Sequence, residues 1–160
     1  RHTRSFHVTG VQTCALPISV VFPVHPRTRA RIDAQGLGEL VRPPAILTLP
    51  SVSYIGMLGL IRDAALVLTD SGGLREETTA FGVPCLTLRH NPERPITVSE
   101  GTNTLVGSDP EALRTAYAEF RRTGGKRGRV PALWDGRAAE RIAADLADWL
   151  SRSSTAKAGG

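Results

Sequence analysis

Apolar residues in this chain occur in short runs of three to five, separated by stretches where they recur every three or four positions, the alternation expected of strands and helices. Strand-like runs fall at 20–24, 45–49, 65–69, 85–88 and 104–106. Helical spacing fills the intervals. The segment 29–35 follows His25-Pro26-Arg27-Thr28 with Thr28 as N-cap, and 54–63 carries Ile55, Leu58 and Ile61. A helix over 74–81 stops at Gly82 and Pro84, one over 110–122 begins at Ser108 or Asp109, and one over 138–150 carries Ile142, Leu146 and Leu150 on one stripe. The stretch 89–97 is too rich in charge and proline to be buried; 123–137 reads as a loop and 151–160 as a disordered tail. Strands alternating with helices through right-handed crossovers predict an α/β fold, a Rossmann-like parallel sheet covered on both faces.

The densest chemistry lies in Leu66-Val-Leu-Thr-Asp-Ser-Gly-Gly-Leu-Arg-Glu-Glu77, which reads as strand, tight turn, helix. Such a turn leaves the first helical N–H groups unpaired at the end of a sheet, and Gly72 and Gly73 lack the Cβ that would keep an anion away. Phosphate fits that place; plain tight-turn chemistry, with Asp70 or Ser71 as N-cap, fits it too. Glu77 lies one turn after Gly73 on the same face, where a carboxylate can meet ribose hydroxyls or simply face water. His25 stands at a strand's C-terminal end, the edge of an open parallel sheet at which ligands bind, as a site residue or a loop histidine. Loops after 24, 69 and 88 leave that edge together, so His25, Ser71, Gly72, Gly73, Glu77 and Arg94 are expected to face one crevice.

Composition changes this picture little. The 160 residues, 41% of them hydrophobic and few aromatic, suit one ordinary α/β domain, and no run reaches the length of a membrane span. The net charge of +5 comes from scattered arginines; the dense stretch at 120–129 is flanked by glycines and reads as a solvated loop rather than a nucleic-acid patch. The first nineteen residues stand apart. Arg1-His-Thr-Arg4 and the eleven residues from Val8 resemble the in-frame translation of a common sequencing adapter, with Ser5-Phe-His7 where a sample index falls. A weak signal peptide is the competing reading. Setting 1–19 aside removes two arginines and no acid, for a net charge of +3, and leaves Cys85 as the single cysteine, a buried strand residue. One cysteine supports neither a disulfide framework nor a metal cluster, and it is compatible with the cytoplasm.

Five motifs in order carry a family resemblance: Phe22-Pro-Val-His-Pro-Arg-Thr28, the stretch 66–77, Glu93-Arg-Pro-Ile-Thr-Val98, Glu100-Gly-Thr-Asn-Thr-Leu-Val-Gly107 and Trp134-Asp-Gly-Arg-Ala-Ala-Glu-Arg141. Residues 20–150 resemble the C-terminal half of the non-hydrolysing bacterial UDP-N-acetylglucosamine 2-epimerases. The resemblance implies a GT-B-type enzyme of two Rossmann-like domains, cytoplasmic and homodimeric, acting at the cleft between them without metal or cofactor. Such enzymes interconvert UDP-GlcNAc and UDP-ManNAc by eliminating UDP to a glycal intermediate and adding it back. Carried over by motif, Ser71, Gly72 and Gly73 hold the diphosphate, Glu77 the ribose, and His25, as a catalytic residue, and Arg94 the phosphates and the sugar end. Val52 and Met57 take the uridine-side positions, where the family often has other side chains. The carboxylates that move the C2 proton belong to an N-terminal domain that this chain lacks, so 20–150 is expected to be a truncated domain and the chain itself inactive as an epimerase.

Other readings keep part of this chemistry. A hydrolysing epimerase or another GT-B glycosyltransferase would use the same nucleotide grip and consume the nucleotide sugar irreversibly. A UDP-binding module without catalysis would keep the grip alone. A receiver-like flavodoxin fold is disfavoured, because no acidic cluster precedes His25.

Overall fold

The computed structural model describes residues 20–158, so residues 1–19, including the adapter-like segment, and 159–160 lie outside the described residues. The chain divides into two compact units at Gly56 and Met57. In the first, β1 (Val20–Pro23) leads into α1 (Pro26–Ala34), a 3₁₀ turn over Gly38–Val41, and β2 (Ile46–Leu49). The strands pair in parallel, Val20 opposite Ile46 and Pro23 opposite Leu49, and Val24 and Ile32 form the buried centre. The helix starts three residues earlier than the sequence pattern predicts. Pro26 fits the first turn, where its missing N–H costs nothing, and His25 rather than Thr28 is the N-cap.

Helix α2 (Tyr54–Asp63) has the predicted bounds, with Ser53 Oγ accepting from the Gly56 N–H as its cap. Of its expected apolar stripe only Ile61 is buried; Ile55 is exposed. The second unit continues with β3 (Val67–Thr69), α3 (Gly72–Phe81), β4 (Cys85–Thr87), α4 (Pro95–Ser99), β5 (Asn103–Leu105), α5 (Pro110–Thr123) and α6 (Ala138–Ala158). Strands β3, β4 and β5 form a parallel sheet in that order, with Val67 opposite Cys85 and Cys85 opposite Asn103. The parallel α/β topology is as predicted. The ladders, however, form two sheets among the described residues rather than the single one expected: β1 pairs with β2, and β3 ends the three-stranded set.

Two further expectations are corrected. The charged stretch 89–97 is not wholly exposed, because it turns into α4 at Pro95 and Thr97 there is fully buried. The tail expected to be disordered is helical as far as Ala158. Its alanines and basic residues are compatible with a helix, and Arg152 pairs with Asp148 one turn back at 2.6 Å. Helix α5 is capped as predicted, Asp109 accepting from the Glu111 and Ala112 N–H groups.

The core of the second unit is polar as well as apolar. Beside Ile61, Val83, Cys85 and Leu86 lie Arg75, Thr78, Thr79, Thr87, Thr97, Thr102 and Asn103, all buried. Asn103 joins them: its Nδ2 donates to the Arg75 carbonyl and to Thr79 Oγ1, each at 3.1 Å, and its Oδ1 accepts from Thr87 Oγ1 at 3.2 Å. These bonds hold α3 over β4 and β5, and a Schellman ending at Gly82, in left-handed conformation at φ 71°, sends the chain into β4. Burial also pushes the Cys85 thiol up from its ordinary range.

Candidate functional site

The turn between β3 and α3 is the centre of the candidate site. Strand β3 stops at Thr69, whose Oγ1 accepts from the Ser71 N–H at 3.1 Å, and the helix begins at Gly72, so both glycines lie inside its first turn. Ser71 is the N-cap by backbone conformation, yet its side chain makes no capping bond. The first-turn N–H groups therefore receive no side-chain cap from it, and the positive end of the helix dipole is placed at the sheet's C-terminal edge.

The two glycines differ. A Cβ added at Gly73 meets nothing within 4 Å, so the approach to that part of the turn is open. At Gly72 the same atom would overlap Glu93 Oε2. One turn beyond Gly73, Glu77 has a carboxylate oxygen, Oε2, that is buried without a hydrogen-bond partner. A buried acceptor left in that state is costly, about 1–3 kcal/mol, and is relieved by any hydroxyl or N–H that reaches it.

Basic side chains surround the turn. Arg75 is fully buried and donates through Nε to the Ser71 carbonyl at 3.3 Å and through Nη2 to Glu93 Oε2 at 2.6 Å. Arg89 pairs with the other oxygen of Glu93. Arg94, the residue before α4, is brought to the same helix through its Nε bond to Glu76 Oε1 at 2.9 Å; this ion pair is largely exposed and weak enough to exchange for a ligand.

Of the residues expected to face one crevice, Ser71, Gly72, Gly73, Glu77 and Arg94 thus belong to or contact α3 in the second unit. His25 belongs to the first unit, where its Nδ1 accepts from the Arg27 N–H at 3.2 Å, so Nε2 is the ring nitrogen left for other contacts. Val52 lies in the turn before α2 and Met57 in its first turn, both half-buried. Sequence reasoning missed Arg75, Glu76 and Glu93. Each stands inside a motif already singled out, within two residues of a chosen one, but a charged residue next to a charged residue gives no sign of which one turns inward.

Comparison with known proteins then decides the family. The sequence model for UDP-N-acetylglucosamine 2-epimerase matches residues 8–147, beginning within the segment set apart as adapter-like. The chain belongs to the UDP-N-acetylglucosamine 2-epimerase family. It is 46% identical over 96 residues to the UDP-N-acetylglucosamine 2-epimerase of Methanococcus maripaludis, covering 59% of this chain and 26% of that protein. It is also 41% identical over 104 residues to the UDP-2,3-diacetamido-2,3-dideoxy-D-glucuronate 2-epimerase of Pseudomonas aeruginosa, covering 65% of this chain and 27% of that one. The crystal structure of the Methanocaldococcus jannaschii family member in complex with UDP-GlcNAc and UDP superposes with a TM-score of 0.67 at 35% identity, over 81% of this chain and 35% of that one. The α/β architecture is accordingly the Rossmann-like one of these GT-B epimerases. The chain spans about a quarter to a third of the length of these relatives. No helix among the described residues is long and apolar enough to cross a membrane.

Proposed function

We propose that this chain is the nucleotide-gripping part of a non-hydrolysing UDP-N-acetylglucosamine 2-epimerase and that the β3–α3 turn takes the diphosphate of UDP. The observation that carries the proposal is Glu77 Oε2, a buried carboxylate oxygen without a partner one turn from the open Gly73. A ribose supplies the donors that this oxygen lacks, while the linked diphosphate meets the first-turn amides of α3. Arg94 exchanges its exposed partner Glu76 for a phosphate oxygen, and His25 offers Nε2 to the phosphate or sugar end. Val52 and Met57 pack on the uracil side.

In the reaction, the bond between the anomeric carbon and the β-phosphate oxygen breaks and UDP leaves with the bonding pair. Negative charge grows on the diphosphate as it does so. Helix amides, a guanidinium and an imidazole oppose that charge, and they oppose it more in the transition state than in the substrate, which is the condition for acceleration. Re-addition of UDP to C1, with a proton returned to C2 on the face opposite the one it left, regenerates a nucleotide sugar with C2 inverted. The carboxylates that move the C2 proton belong to the longer protein, which would be cytoplasmic and homodimeric.

The relative of Pseudomonas aeruginosa, named for a diacetamido glucuronate, favours a second reading in which the same turn serves a different UDP-sugar. Product analysis of the longer enzyme separates these from a hydrolysing epimerase or a glycosyltransferase, since only those two consume the nucleotide sugar irreversibly. The direct test of the grip is calorimetry of UDP with the 160-residue chain and its Glu77→Ala variant. The expected loss is about 1.5–3 kcal/mol, that of a hydrogen-bonded charged group. Unchanged affinity would reject the ribose role.

A further inference from the structure

The two glycines at the start of α3 serve different purposes. The space in front of Gly73 is open, whereas the space a side chain would fill at Gly72 is taken by the carboxylate of Glu93. That carboxylate is gripped on both oxygens, Oε2 by the Arg75 guanidinium at 2.6 Å and Oε1 by Arg89. Arg75 is fully buried, its Nη1 has no partner, and Glu93 is the acidic side chain it pairs with among the described residues. A buried guanidinium stripped of its counter-charge is strongly destabilising, so the Arg75–Glu93 contact is one the fold resists breaking.

Glu93 immediately precedes Arg94. The Arg94 carbonyl accepts from the Thr97 N–H and Oγ1, which anchors Arg94 to the first turn of α4. Its backbone is thus fixed on one side by α4 and on the other by the seat of Glu93 on α3. We propose that Glu93 is a positioning residue of the anion site: seated on the bare Cα of Gly72 and held by Arg75 and Arg89, it locks segment 89–95, and with it Arg94, against the first turn of α3. Gly72 is then a glycine in order to seat a carboxylate of the protein itself, and Gly73 is the one that admits the ligand. The effect on nucleotide affinity rests on the UDP reading above; the locking of the segment does not.

The test uses the 160-residue chain with Glu93→Ala, Gly72→Ala and the double variant, read by hydrogen exchange at the amides of 89–95 and by UDP calorimetry. Each single change is expected to speed exchange there roughly tenfold and to weaken UDP roughly tenfold, and the double change to do no more than either alone, because both remove one seat. Losses that multiply in the double variant would overturn the proposal, as would unchanged exchange in Glu93→Ala. If Glu93→Ala fails to fold, the paired Arg75→Gln/Glu93→Gln chain carries the test without a buried charge; faster exchange at 89–95 supports the proposal and unchanged exchange overturns it. A parent chain without affinity for UDP would sink the nucleotide reading, and the exchange result would still decide the role of Glu93.

Discussion

At the scale of single residues, charge is organised by close pairing more than by net amount. Asp135, in the Trp-Asp-Gly motif before α6, accepts from both terminal nitrogens of Arg141, at 2.9 and 2.5 Å, and from the Arg137 N–H at 3.1 Å. Arg141 first, then the backbone bond, holds its carboxyl below the usual aspartate range. The sign follows from that direction. With the folded value lowered, whatever stability this contact gives is present above the unfolded value, about 3.9, and is lost as pH falls through the folded one. A carboxyl NMR titration should therefore place the Asp135 midpoint below about 3.9, and Arg141→Ala should raise it. A midpoint unaffected by that substitution would contradict the pairing. The sequence made Asp135 visible only as part of a motif; its partner six residues on, beyond one helical turn, has no signature in local spacing.

At the scale of elements, periodicity located the strands and most of the helices but misjudged what they bury. Helix α3 turns Arg75, Thr78 and Thr79 to the core, an i, i+3, i+4 set that a hydrophobic pattern assigns to solvent. The face is buried because Asn103 and Thr87 supply hydrogen bonds for it, a complement that comes from other strands and so is invisible to a local reading. Glycine and proline chemistry was more legible: Gly82 ends α3 as expected, and Pro110 opens α5. The N-cap of α1 was misplaced because Thr28 is the better capping type, while Pro26 fixes the actual start. Asn103 carries the clearest prediction at this scale. Asn103→Leu keeps the volume but removes one donor each from the Arg75 carbonyl and the Thr79 hydroxyl and the acceptor of the Thr87 hydroxyl, and should lower unfolding stability by on the order of 3 kcal/mol in urea titration. A loss below about 1 kcal/mol would show that these groups find other partners.

At the scale of the whole molecule, the family was legible because five separate motifs keep their order over most of the chain, whereas the arrangement of the strands was not. Alternating strands and helices predict a parallel sheet, but the number of sheets depends on which strand neighbours which. That is decided by ladder partners, and here the ladders run β1–β2 and β3–β4–β5. The candidate residues divide in the same way: the β3–α3 turn, Glu77 and Arg94 belong to the second unit, His25 to the first. The proposal that the β3–α3 turn grips a nucleotide diphosphate is therefore tested most directly within the second unit. The measurement is an amide NMR titration of the labelled chain with UDP. Saturable shifts centred on Gly72, Gly73 and Leu74 and extending to Glu77 are expected, with inorganic phosphate reproducing the first-turn shifts but not the one at Glu77. Saturable UDP binding that leaves those amides unmoved would contradict it.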